Sequence, residues 1–204
     1  MTQRQAPSLA GNPKASRRPG RPRDAGKDQL IADAMLKMLA EHGYEGASFE
    51  KVAVEAQVSR AAIYRRWPTK EHLVLYAITD MLGQDSVPSA ASDDGGIASV
   101  ERLLMRTAKR LRDPFKLRVI AALVSEAAAR PVLAKLVSEL EHERRGPLQV
   151  ALAQAQERGE VGRGADTAYL SDALIGALYF RALVAQTSIE DQDVSRLVAA
   201  ILKP

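Results

Sequence analysis

Five side chains suited to gripping a polyanion fall within one short stretch: Arg60, Tyr64, Arg65, Arg66 and Lys70. Their types divide the work. Arg60 and Arg65 carry planar guanidinium forks that can make two parallel hydrogen bonds to a guanine edge in a major groove. Ala61 and Ala62 between them are small enough for a backbone to approach base edges or thymine methyls. Tyr64, Arg66 and Lys70 suit phosphate oxygens, and Lys70 also falls at a helix N-terminus, whose free N–H groups attract the same anion. The competing reading is a solvated basic helix turn, because exposed charge is what helix surfaces ordinarily carry.

The flanking residues supply the elements that would hold these groups. From Asp28, Ile31, Ala34, Met35, Met38 and Leu39 recur at helical spacing, and Gly43 ends that helix. Ser48 is placed to cap a second helix with Val52, Ala53 and Ala56 inward. Ser59 caps a third, on which Ile63 and Trp67 lie one turn apart and face the body. Pro68 stops the third helix, and Thr69 caps a fourth that runs through Leu73, Tyr76, Ala77 and Leu82. Two short helices around a tight turn, the second with an apolar inner edge and a basic outer one, form the geometry that seats a helix in a DNA groove.

The ordered series Ile31, Ala34-Met35, Leu39, Gly43-Tyr44, Ser48-Phe49, Val52-Ala53, Ala56, Val58-Ser59, Ile63-Tyr64, Trp67-Pro68, Lys70-Glu71 and Leu73 resembles the DNA-binding domain of TetR-type transcriptional regulators, without gaps from about residue 29 to 77. The resemblance implies phosphate contacts at Ser48, Tyr64 and Lys70, and base-facing positions at Arg60, Ala61, Ala62 and Arg65. One position departs from the family pattern. The turn between the second and third helices, often Gly in the family, is Gln57, and a side chain there costs about 1 kcal/mol if φ is positive.

Charge is distributed unevenly. Residues 1–28 hold seven bases and two acids, residues 29–80 are close to balanced, and the remainder is neutral, so the net +4 comes from the N-terminal arm. Four of the ten prolines fall in residues 1–27, and no apolar period appears, so the arm reads as disordered. Arg17-Arg18-Pro19-Gly20-Arg21-Pro22-Arg23 resembles an AT-hook core, which implies minor-groove contact by Arg21 and Arg23. The bland alternative is a solvated tail with no target.

Residues 83–99, rich in Gly, Ser and Asp, read as a connector. Beyond it every segment has helical spacing. Leu103, Leu104, Thr107 and Leu111 line one helix, and Leu117, Ile120, Ala121 and Val124 the next. A long helix starts at Pro131 and should kink at Gly146-Pro147; others follow Asp166 and Gln192. The chain therefore reads as all-α: a basic arm (1–27), a three-helix helix-turn-helix domain with its following helix (28–82), a connector (83–99), and a helical effector-binding and dimerisation domain (100–204). Residues 113–202, notably Leu174 to Arg181, resemble a TetR-type C-terminal subfamily. That resemblance implies dimerisation through the last two helices (166–187 and 192–202), with Ala173, Ala177, Phe180, Leu197 and Ile201 at the seam. It also implies an effector pocket among the middle helices, with Leu103, Leu104, Leu117, Ile120, Leu133, Leu136, Leu152 and Tyr179 as candidate lining. At each of these positions plain core packing is the competing assignment. The scarcity of aromatics points to an apolar effector.

Other chemistry finds little support. Cysteine is absent, which excludes disulfides and thiolate metal sites. Glu139 and His142 have Glu-x-x-His spacing, but a di-iron bundle needs two such copies plus further carboxylates, so they read as a solvated helix face. The glycines at 159, 162 and 164 follow a helix rather than a strand and form a turn, not a dinucleotide loop. The longest apolar runs fall far short of the ~20 residues of a membrane span. The expectation is a homodimeric, cytoplasmic and nucleoid-associated regulator, in the role of repressor, with no enzymatic activity, cofactor or metal. Its partners would be a near-palindromic double-stranded operator and a releasing small-molecule effector. The alternative is an architectural DNA binder that senses nothing.

Overall fold

The computed structural model describes residues 25–83 and 95–202, and these are helical with no strand among them. The helices are α1 (Ala25–Gly46), α2 (Phe49–Glu55), α3 (Arg60–Tyr64), α4 (Lys70–Gly83), α5 (Ile97–Arg112), α6 (Pro114–Ala127), α7 (Pro131–Glu157), α8 (Thr167–Tyr179) and α9 (Asp191–Leu202). A π-helical turn, Phe180–Val184, extends α8. The arm, with Arg21 and Arg23, and most of the connector lie outside the described residues.

Local chemistry sets the helix ends. Ser48 and Ser59 accept hydrogen bonds from the backbone N–H of Lys51 (3.4 Å) and Ala62 (3.2 Å), capping α2 and α3. Asp113 and Asp166 cap α6 and α8 in the same way. Thr69 differs: its carbonyl accepts from Leu73, while its hydroxyl turns to His72 Nδ1 at 2.9 Å. Gly43 leaves the helical region at φ 67°, so the last residues bundled with α1 form a separate turn.

Two apolar cores lie along the molecule. The first joins Ile31, Met35 and Leu39 of α1, Val52, Ile63 and Trp67, and Leu73 and Val74 of α4. It continues into Val119 and Leu123 of α6 and into Leu133 and Leu136 of α7. The second gathers Leu104, Ile120, Leu148, Leu152, Leu174, Leu178 and Val198. Helix α6 lies between the two cores, and this shifts its buried face from the predicted one. Val119 and Leu123 serve the first core and Ile120 the second, while Ala121 and Val124 are exposed. Helix α7 runs 27 residues as one helix through Pro147 and contributes to both cores.

Candidate nucleic-acid interface and effector cavity

The turn before α3 is a Schellman closure. Val58 N–H donates to the Ala53 carbonyl (2.9 Å) and Gln57 N–H to that of Val54 (3.2 Å), leaving Gln57 at φ 54°, the left-handed geometry that glycine adopts without penalty. The departure noted in the sequence is therefore a side chain in a strained position, held by the two bonds around it.

Helix α3 is short, and two anchors fix it. Ile63 is fully buried, and Trp67, just past its end, packs at 5.1 Å against Tyr76 of α4. Arg60, Ala61, Tyr64 and Arg65 are exposed and Ala62 is half-buried. Tyr64 rests edge-on against Phe49 at 4.8 Å, which orients its ring while leaving nearly half the residue in solvent. Arg60 meets Glu50 at 3.0 Å, but both side chains are more than half exposed, so water and salt leave Arg60 free to exchange partners.

Two of the candidate contacts are directed elsewhere. Arg66 turns inward: its Nε pairs with Asp28 at the start of α1, and its Nη1 donates to the Ala62 carbonyl at 3.1 Å. It staples α3 to α1 rather than joining the outward-facing group. Lys70 is half-buried, donating to the Tyr44 carbonyl and lying 3.8 Å over the Tyr44 ring. Burial holds its pKa below the usual lysine range. Tyr44 in turn donates to Glu71 at 2.6 Å; burial first, and then Glu71, push the phenol well above its ordinary range.

On the far side of α4 is a cavity of about 230 Å³ between α4, α6, α7 and α8. Ile78, Met81 and Leu82 of α4 form part of its apolar wall, with Ile120 and Leu140 opposite. Its other end is polar, built from Glu141, Arg144, Arg145, Asp172 and Tyr179. Tyr179 donates to Glu141 at 3.0 Å, and burial followed by that carboxylate raises its pKa strongly. A second cavity of about 310 Å³ shares Leu82, Leu140, Arg144 and Ile175 with the first and adds Leu103, Arg106 and Arg110. Of the candidate lining residues, Ile120 and Tyr179 face the first cavity, and Leu103 and Leu104 the second. Leu117 lines a groove near the α8–α9 connection, whereas Leu133, Leu136 and Leu152 are core. The polar end also departs from the apolar lining expected from composition. Sequence reasoning passed over Arg144 and Arg145; the detectable signal was two arginines set one helical turn beyond Leu140-Glu141 on a largely apolar helix face. Glu139 and His142 are exposed, Glu139 lying 3.7 Å from Lys135.

Comparison with known proteins agrees with this arrangement. Residues 31–77 match the family model for bacterial regulatory proteins of the tetR family, and residues 97–201 match that for the tetracyclin repressor-like C-terminal domain. The chain belongs to the TetR family. An uncharacterised HTH-type transcriptional regulator of Mycobacterium tuberculosis is 31% identical over 181 residues, covering 86% of this chain and 85% of that one. The DNA-binding transcriptional repressor TetR of Mycobacteroides abscessus is 26% identical over 175 residues, 85% and 90% of the two chains. A transcriptional regulator from Saccharomonospora viridis, solved in complex with choline, superposes with a TM-score of 0.66 at 17% identity, over 86% of this chain and 95% of that one. This TetR-family chain is thus a transcriptional regulator with an N-terminal helix-turn-helix and a helical C-terminal domain. No described helix is long and apolar enough to cross a membrane.

Proposed function

We propose that this TetR-family regulator is a homodimeric repressor that reads a near-palindromic operator and leaves it when a small molecule fills the cavity beneath α4. The observation that carries the reading is that α4 belongs to both sites. Its outer end holds Lys70 and supports α3 through the Trp67–Tyr76 contact, while Ile78, Met81 and Leu82 at its inner end line the cavity. A ligand that displaces those three side chains moves the helix on which the reading head rests.

In this reading α3 of each protomer enters a major groove, the two half-sites lying about one helical turn apart, ~34–36 Å. Arg60, Ala61, Ala62 and Arg65 meet base edges; Ser48, Tyr64 and Lys70 meet phosphates, Lys70 by leaving Tyr44. Arg66 is not among them, because it is engaged with Asp28. Arg21 and Arg23 of the arm occupy the adjacent minor groove. The dimer seam runs along α8, its π turn and α9. There Ala173, Ala177, Leu197 and Ile201 are half-buried within one chain, and Tyr169, Phe180 and Val184 are more than half exposed at spacings that share a face. The relative named as a repressor supports the sign of regulation, and the choline-bound neighbour supports a ligand cavity in this fold.

Release requires the ligand to favour the DNA-incompetent state by several kcal/mol. Footprinting on DNA upstream of the protein's own gene tests the reading. The expected result is a two-fold symmetric footprint, lost at saturating ligand. Protection without sequence preference, unmoved by any cavity ligand, would instead identify an architectural DNA binder.

A further inference from the structure

We propose that the cavity between α4, α6, α7 and α8 takes a small amphiphilic carboxylate, its apolar body against Ile78, Met81 and Leu140 and its carboxylate on the guanidinium groups of Arg144 and Arg145. This rests on the reading of that cavity as the effector site.

The arginines at the polar end have donors to spare. Glu141 Oε1 accepts both the Tyr179 hydroxyl at 3.0 Å and Arg144 Nη1 at 3.4 Å. Asp172, more than half exposed at the mouth, takes Arg145 Nη1 at 2.6 Å. Against this, Arg145 Nε is buried and makes no hydrogen bond. Arg144 meets Glu141 through a single nitrogen at the long end of the range, leaving most of its fork unspent. A buried N–H without a partner is destabilising, and a carboxylate can accept from both guanidinium groups at once.

Net charge points the same way. Arg106 and Arg110 line the adjoining cavity, which has no carboxylate among its described lining residues and shares Arg144 with the first. Leaving Arg110 aside, Arg106, Arg144 and Arg145 line the two adjoining cavities with two carboxylates, Glu141 and Asp172. Apolar walls keep the local dielectric low, so this excess selects for an anion. A cationic ligand would have to share Glu141 and Asp172 with Arg144 and Arg145, whose positive charge opposes it. A neutral one could accept from the spare N–H groups but without the opposite charge that makes such bonds strong.

The test uses one aliphatic body and three head groups. Octanoate, octanamide and octylammonium are titrated calorimetrically into the full-length protein, and operator affinity is followed in parallel. Octanoate is expected to saturate at one site per chain, at least tenfold tighter than octanamide, with octylammonium weakest. Arg144→Gln and Arg145→Gln are each expected to lower octanoate affinity at least tenfold while leaving octanamide unchanged. Should either variant fail to fold, the head-group series on the parent protein decides alone. Equal affinity for all three, tighter octylammonium, or no octanoate binding would overturn the proposal. The two readings fail separately: octanoate bound with operator affinity unchanged removes the effector role but keeps the carboxylate site, and release by octylammonium alone does the reverse.

Discussion

Arg66 is the sharpest test of how the reading head is built, because its sequence neighbourhood suggests DNA contact and its tertiary contacts suggest a staple. Its guanidinium joins Asp28 of α1 to the Ala62 carbonyl at the end of α3, and the paired side chains are only 21% and 15% exposed. Removing one partner from a fully buried ion pair costs about 3–5 kcal/mol, and a hydrogen bond to a charged group contributes roughly 1.5–3. Residual water at this pair places Arg66→Ala near the lower figure, at ~2 kcal/mol. For a chain of this size that lowers Tm by roughly 4–8 °C. Asp28→Ala should destabilise comparably, and the double variant by about 1 kcal/mol less than the two combined, since the broken contact is shared. Urea unfolding at fixed protomer concentration reads these changes, the concentration being held because a dimer's stability depends on it. Well below its Tm, Arg66→Ala should bind operator within about threefold of the parent, a change of under ~0.7 kcal/mol. An Arg66→Ala protein of unchanged stability whose operator affinity falls tenfold would refute the staple.

Other perturbations separate the remaining roles. Arg60→Ala is expected to lose about 1–3 kcal/mol at the operator and little on random DNA, whereas Lys70→Ala should weaken all sequences alike and reduce the salt slope by about one; parallel titrations over a salt series distinguish them. Gln57→Gly relieves the left-handed φ at the cost of a more flexible unfolded chain, so stability should rise by up to ~1 kcal/mol, and a lower urea midpoint would contradict the strain assigned to the turn. Hydrogen bonds from Tyr44 and then Thr69 hold the Glu71 carboxylate below its ordinary 4.5. Its contribution is therefore present above pH 4.5 and lost as pH falls through the lowered value. The stability gap between the parent and Glu71→Gln should shrink on acidification, and urea midpoints across that range check it.

Where the determinants are local, the chain could be read residue by residue. Ser48, Ser59, Asp113 and Asp166 cap helices through bonds to N–H groups two or three residues on, so nothing distant decides them. Ile63 and Trp67 lie one turn apart, and both are buried. The strain at Gln57 follows from a Schellman turn spanning six residues. These features, with the basic outer face of α3, were enough to indicate an all-α chain with a helix-turn-helix, and the resemblance of residues 29–77 to TetR-type domains implied a regulator.

Arrangements between distant helices were not legible in this way. Arg65 and Arg66 look alike in sequence, yet one is exposed and the other half-buried against Asp28, a residue 38 positions away that α1 happens to bring alongside. Lys70 is withdrawn because Tyr44 stands beside the start of α4. Leu136 and Leu152 are core, and Arg144 and Arg145 line a cavity, because α6 and α7 each face two cores and a period of 3.6 residues says which residues share a face but not what that face meets. The sequence by itself determined the helices, their caps and the exposed basic edge, since each depends on contacts within a turn or two. Only the tertiary structure decided which cations remain available to DNA and where a ligand's charge could be met, because both depend on which side chains the packing of separate helices brings within a few ångströms.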